Sequence, residues 1–218
     1  MLQSIEHFDH WLFYLINRDG KNVVFDHLMP FISNEANFFI PIAIAWLYLV
    51  IRNDATHRTV AIAVIALIGV SELLCSDVFK PLFGRYRPFE SISDFYLFRG
   101  AGDVWRWTGT LEERGGNSLA MPSAHATNIF AAAVFLSYYF RRFWPLFLVI
   151  AVAVAYSRVY TGNHFPMDVI VGAALGTACA AGFIRLTNRV LAKWHAFSAS
   201  KRTAPSKDTT EGSSENEH

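Results

Sequence analysis

The sequence predicts an all-α fold: a polytopic membrane helix bundle with five to six transmembrane helices and amphipathic helices at its N-terminus. Two observations carry this. Of 218 residues, 53% are hydrophobic and only 17% charged, too apolar for an average soluble domain. Five stretches, at about residues 36–52, 59–79, 120–140, 143–160 and 166–187, also have charge-free centres such as "ANFFIPIAIAWLYLVI" and "FWPLFLVIAVAVAYS". A helical crossing takes roughly 20 residues, so each is slightly short and needs its aromatic or partly polar flanks to complete it. Five such segments in so small a chain disfavour the alternative of a soluble helical core.

The elements follow in chain order. Residues 1–35 alternate apolar and charged side chains at helical spacing and are broken at "RDGKN", which reads as two amphipathic helices, interfacial or partly embedded. A sixth span through residues 9–33 is the alternative. No basic leader precedes a cleavage site, so a removable signal peptide is not expected. Residues 36–197 form the membrane core. Residues 198–218, "SASKRTAPSKDTTEGSSENEH", cannot bury enough surface to fold and should be a disordered cytoplasmic tail. Cys75 and Cys179 fall inside spans at a spacing that supports neither a disulfide nor a metal site, and read as packing residues. The net charge of +1 says nothing about partners, and no basic stretch resembles a nucleic-acid surface, so no nucleic-acid partner is expected.

If the five spans alternate, the Lys and Arg counts on the two sides nearly balance. The short "RR" turn at Arg141 and Arg142 then assigns the cytoplasmic side, because long loops weigh little in orientation. The loop over 80–121 would face outward. Three polar clusters share that outer side: "KPLFGRYRP" (80–88), "PSAH" (122–125) and "SRVYTGNHFPMD" (157–168). Each stands at a span end, so all lie at one membrane depth.

Their chemistry suits a phosphate. Lys80, Arg87 and Arg158 bring cations to one place, and arginine forks match phosphoryl oxygens. A lone cation there would simply snorkel to water; convergence is what argues for an anion. Pro122 and Ser123 start a helix, so Ser123 is expected as its cap, with the free backbone N–H groups near Ala124 and His125 forming an anion seat. His125, in the first turn, is placed to give a proton to a departing oxygen. His164 and Asp168 are four residues apart around Pro166, so the aspartate can fix one imidazole nitrogen and leave the other free to attack. Zinc is the alternative for such a set, but the crowding cations would repel it. Asp77, three residues before Lys80, is expected to hold that amine. Glu72 lies deeper, where an ionisable side chain is costly, and has no assigned role. Asn128 bonds either within the site or to a neighbouring helix.

Lys80 with Arg87-Pro88, then Pro122-Ser123-x-His125, then Ser157-Arg158 with His164 and Asp168, resemble the three-part signature of the type 2 phosphatidic acid phosphatase (PAP2) superfamily. All parts occur in order and at full spacing, over about residues 36–187. The resemblance implies a metal-independent lipid phosphatase that needs no cofactor. By carry-over, His164 would form a phosphohistidine and Asp168 would orient it. His125 would protonate the leaving group and help activate water, while Lys80, Arg87, Ser123, Arg158 and the backbone N–H of Ala124 hold the phosphoryl oxygens. One position departs, since the family usually has glycine where this chain has Ala124; a residue starting a helix keeps a negative φ, so the change bears on pocket size more than on the reaction.

The implied partner is a lipid phosphate in the bilayer: undecaprenyl diphosphate, phosphatidylglycerol phosphate, phosphatidate or a lipid A phosphate. Loop 89–121, with Arg99, Arg106 and Arg114 among aromatic residues, should set the choice. The expected location is a bacterial inner membrane with the site facing the periplasm or exterior. Phosphate transfer from lipid to lipid, or lipid binding or transport without catalysis, are the competing readings. Nothing in the sequence fixes an oligomeric state.

Overall fold

The computed structural model describes residues 2–52, 54–99, 104–108 and 118–203. Helix α1 runs Leu2–Tyr14 and unwinds through a wide π turn, Leu15–Asp19; α2 (Val23–Ser33) follows after Gly20. Asn22 caps α2 by accepting from the Phe25 N–H at 3.0 Å. No continuous helix therefore runs through 9–33. After Asn34 the chain bends by 73° into Glu35–Ile51, of which Phe39–Ile51 is α3.

Helix α4 (Ala55–Phe83) starts on the Asp54 cap and widens into a π-helical stretch at Leu74–Phe79. Helices α5 (Ala124–Tyr139), α6 (Trp144–Tyr160) and α7 (Pro166–Thr203) complete the bundle. Helices thus form at all five expected places, and the protein is an integral membrane helix bundle. Among the described residues, Ala55–Phe83, Arg141–Tyr160 and Pro166–Ala199 are long and apolar enough to cross alone, and the bent pair of α2 and α3 makes a fourth candidate. Helix α5 has only 16 residues, about 24 Å at 1.5 Å per residue, short of the bilayer core.

Short α5 is nonetheless the hub, packing against α7, α6 and α4. Its approach to α7 depends on Gly176, where an added Cβ would lie 2.1 Å from the Thr127 carbonyl oxygen. Small residues at such a crossing let backbones touch in a medium that supplies no hydrophobic drive between helices. One apolar cluster, including Val60, Leu67, Phe135 and Ala180, fills one part of the bundle. A second, with Phe13, Phe95, Leu97, Val159 and Phe165, lies where α6 turns into α7. Helix α3 buries none of its residues and exposes Phe39, Ile40 and Ile44, as a lipid-facing helix would.

Three features differ from the sequence reading. Helix α1 presents Phe8 and Trp11 outward, as an amphipathic helix should, but its opposite face inserts Asp9 and Phe13 into the protein, and the π turn after it inserts Asn17. Asn17 accepts from the Tyr96 N–H at 2.8 Å and donates to the carbonyls of Tyr96 and Tyr160, each at 2.7 Å. Second, part of the 80–121 loop forms an antiparallel hairpin, β1 (Tyr96–Arg99) with β2 (Val104–Trp107), its aromatic residues facing each other across the strands as Tyr96↔Trp107 and Phe98↔Trp105. Third, α7 continues to Thr203, six residues into the segment expected as tail; 204–218 and Arg114 lie outside the described residues. "SASKRT" extends a helix already nucleated, which needs only propagation and no core of its own.

Candidate functional site

The end of α6, the turn after it and the first turn of α7 are held as one unit. The N–H groups of Asn163 and His164 both donate to the Arg158 carbonyl, at 3.1 and 3.2 Å. Gly162 permits the turn with φ 78°, and a Cβ there would meet the Tyr96 carbonyl oxygen at 2.6 Å, so the hairpin sits directly on it. The N–H of Ser123 donates to the Asp168 carbonyl at 2.9 Å, which fastens the start of α5 to the start of α7. That bond, with the close approach of Gly172 to the Ser123 carbonyl, holds "PSAH" against "HFPMD".

Within this unit His164 is 2% exposed and Asp168 0%. His164 Nδ1 stands 3.6 Å from Asp168 Oδ2, an ion-pair distance too long for a formed hydrogen bond, and Nδ1 has no hydrogen-bond partner among the described residues. Oδ2 also accepts from the Phe165 N–H at 2.8 Å. Burial, followed by the nearby charges of Arg158, Arg87 and Lys80, holds the His164 pKa well below its ordinary value, which favours the neutral imidazole. Lys80, Arg87 and Arg158 thus all lie within electrostatic reach of this histidine. His125, in the first turn of α5, lies within electrostatic reach of His164, Arg158 and Arg87. Its Nε2 is 3.8 Å from Glu35 Oε2.

Besides His164 Nδ1, three buried polar atoms here lack a hydrogen-bond partner among the described residues: Arg87 Nε, Arg158 Nε and Ser123 Oγ. Buried donors are almost always satisfied, so a set of unsatisfied ones marks a place prepared for an acceptor. Ser123 corrects the cap expectation: it occupies the cap position of α5, yet its hydroxyl makes no cap bond. Ala124 opens the helix behind it, where the first N–H groups have no intrahelical acceptor. Arg158 is anchored at its other end, Nη1 donating to the carbonyl of Ser33 at 3.3 Å and to its hydroxyl. Beside it opens a cavity of about 840 Å³ lined by Asp26, His27, Ser33, Arg99, Arg158 and Asn163 among others.

The expected Asp77–Lys80 pair does not form: Asp77 is exposed and makes no ion pair with Lys80. Asp77 lies within the π-helical stretch and Lys80 directly after it, and the wider turn breaks the spacing that would stack residues three apart. Asn128 resolves toward its neighbour helix, donating to Glu72 Oε2 at 2.6 Å and accepting from Ser71 Oγ at 2.7 Å. Ser76 Oγ donates to the other Glu72 oxygen at 2.7 Å, so the deep carboxylate is bonded at both oxygens. The sequence reading missed Asp9 and Arg85. Arg85 Nη1 donates to Asp168 Oδ1 at 3.0 Å and Nη2 to Asp9 Oδ2 at 2.5 Å. The available signal was Asp9 standing four and eight residues before Phe13 and Asn17, on the one buried face of α1 and the π turn after it.

The fold and the site together define a polytopic helical membrane protein with basic side chains disposed about a buried histidine. The chain belongs to the PAP2 superfamily, whose family model matches residues 59–192. It is 30% identical to the lipid A 4'-phosphatase of Bacteroides thetaiotaomicron over 69% of this chain, spanning 64% of that relative's length. It is 30% identical to an undecaprenyl-diphosphatase of Sulfolobus acidocaldarius over 76% of this chain and 72% of the relative. Among solved structures, a transmembrane PAP2-type phosphatidylglycerolphosphate phosphatase from Bacillus subtilis aligns with a TM-score of 0.61 at 20% identity, covering 87% of both chains, a likeness of fold.

Proposed function

We propose that this protein is a membrane lipid phosphatase that hydrolyses a phosphomonoester or diphosphate of a lipid through a phosphohistidine. The observation that carries the reading is the buried His164 beside Asp168, with unpartnered Arg87 Nε, Arg158 Nε and Ser123 Oγ in the same site. Binding alone would need the cations but neither histidine.

In the first step the His164 ring nitrogen turned away from Asp168 attacks phosphorus. An N–P bond forms, the P–O bond to the leaving group breaks, and His125 gives that oxygen its proton. The Asp168 carboxylate orients the ring and balances the charge the imidazole gains. In the second step His125 takes a proton from water, the water oxygen bonds to phosphorus, the N–P bond breaks and inorganic phosphate leaves. Lys80, Arg87, Arg158, Ser123 and the Ala124 N–H hold the three equatorial oxygens throughout, the positioning and charge work that phosphoryl transfer chiefly requires. The gathered cations supply this without a metal ion.

The substrates named for the relatives, lipid A and undecaprenyl diphosphate, are the first candidates. The cavity next to Arg158 would take the headgroup, with Arg99 and His27 on its wall. The "RR" turn supports a site facing the periplasm or exterior of a bacterial inner membrane. The test is phosphate release by purified protein from a panel of undecaprenyl diphosphate, lipid A, phosphatidylglycerol phosphate and phosphatidate, with a chelator present and His164→Ala as control. Release by the wild type and none by the variant is expected. Equal release by both defeats the reading, loss to the chelator defeats the metal-free mechanism, and label passing to a second lipid without free phosphate makes the protein a transferase.

A further inference from the structure

Asp168 is fully buried, and a carboxylate there is costly unless a cation meets it. The cation that meets it is Arg85, which comes from the segment after α4, and not one of the residues around the unpartnered donors. Arg85 is itself shared. Its two terminal nitrogens go to two carboxylates, Asp168 at 3.0 Å and Asp9 at 2.5 Å, and its guanidinium lies 4.2 Å from the centre of the Phe165 ring. Asp9 is 1% exposed and uses its second oxygen to accept the Met167 N–H at 2.8 Å, one residue before Asp168. His10, next on α1, stacks on Phe165 at 4.9 Å.

Two contrasts separate Arg85 from the phosphate-holding arginines. Arg87 and Arg158 each keep an unbonded buried Nε, whereas both terminal nitrogens of Arg85 are engaged by carboxylates. Moreover, the partner that engages it lies on α1, outside the matched residues 59–192. Both oxygens of Asp168 are therefore committed, with Oδ2 facing His164 and the Phe165 N–H while Oδ1 is held by Arg85.

We propose that Asp9 and Arg85 form a positioning pair for Asp168, so that α1 sets the geometry of the attacking histidine without touching the substrate. This rests on the phosphatase reading. Asp9 fixes the fork of Arg85 and the first turn of α7 together, and Arg85 transmits that fix to the carboxylate that orients His164.

The test uses the full chain in bilayer nanodiscs, with Asp9→Asn, Arg85→Met, the double variant and Arg85→Lys assayed on undecaprenyl diphosphate, lipid A and phosphatidylglycerol phosphate. Expected are losses of about 10–100-fold in kcat for each single variant, the range typical of residues that orient a reacting group from behind. KM should stay within about 3-fold, and the double variant should be no worse than the worse single, because both act through one chain of bonds. Arg85→Lys should keep more kcat than Arg85→Met. Inorganic phosphate should inhibit all of them as it inhibits the wild type, a readout that general loosening of the site would move. If Arg85→Met does not fold, the near-isosteric Asp9→Asn carries the test alone. Wild-type kcat in Asp9→Asn overturns the inference, as does a raised KM with unchanged kcat, which would make Arg85 a phosphate ligand. A wild type that releases no phosphate from any substrate defeats the phosphatase reading instead, and this inference with it.

Discussion

His164 and Asp168 meet at 3.6 Å across the first turn of α7, both buried, in a pair that is aligned but not closed into a hydrogen bond. Such contacts commonly tighten only when substrate is bound. Asp168→Asn keeps the shape and removes the charge that the imidazole needs as it gains positive character. It should lower kcat by about 10³–10⁴-fold, as loss of a comparable aspartate charge does beside other reactive histidines. Steady-state kinetics on the best substrate of the panel measures this, and a loss under 10-fold would separate Asp168 from the chemistry.

The charge around His164 has a pH consequence. Burial and the three cations lower its pKa, so the neutral, nucleophilic form persists below the ordinary histidine range. The acid limb of kcat/KM due to His164 should therefore lie below that range. Lys80→Met removes one of the charges that disfavour imidazolium, so its limb should move upward relative to wild type, whatever its absolute activity. A pH–rate comparison of the two proteins checks the direction, and a limb that moves down contradicts the assignment.

Asn128 and Glu72 make a polar tie inside the bundle at 2.6 Å. Asn128→Leu would leave one Glu72 oxygen unpaired in apolar surroundings, costing about 1–3 kcal/mol of stability. Glu72→Gln, which keeps hydrogen-bonding capacity, should cost less. Thermal unfolding in detergent ranks the two, and the reverse order would remove the tie from the account.

Gly176→Ala drives a Cβ toward the Thr127 carbonyl oxygen, which sits 2.1 Å from that position. Helices α5 and α7 must then separate, with a cost of about 1–3 kcal/mol typical of overpacking. Because the Ser123–Asp168 bond joins the same two helices, kcat should fall along with thermal stability. Unchanged activity at wild-type stability would show that the crossing is softer than its spacing implies.

Arg99 lines the cavity beside Arg158. Arg99→Ala should raise KM for a diphosphate or lipid A substrate several-fold, an exposed charged contact being worth about 1 kcal/mol, and leave kcat nearly unchanged. A kcat effect with no change in KM would place Arg99 in the chemistry.

The helices and the residues gathered around His164 were legible in the sequence because both follow local rules. Apolar runs of fixed length announce membrane helices, and alternating spans place Lys80, His125, Arg158 and His164 at one depth. What was not legible depends on contacts between distant segments. Ser123 occupies a cap position but leaves its hydroxyl uncommitted, which spacing cannot foresee. Asp77 missed Lys80 because a π-helical stretch reset the turn, and nothing in "LCSDVF" announces one. Asp9 and Arg85 carry no spacing signal that pairs them, because their contact depends on the start of the chain folding its Asp9, Phe13 and Asn17 side chains inward. The hairpin escaped because its aromatic residues equally suit an interfacial loop.

The central claim, a covalent phosphohistidine at position 164, is met most directly by rapid quench of purified protein with a phosphorus-labelled lipid substrate, followed by peptide mapping. The account predicts a base-stable, acid-labile label on the peptide containing His164, formed faster than phosphate is released and absent from His164→Ala. Phosphate release at full rate with no labelled protein at any quench time, or with the label on another residue, would contradict it.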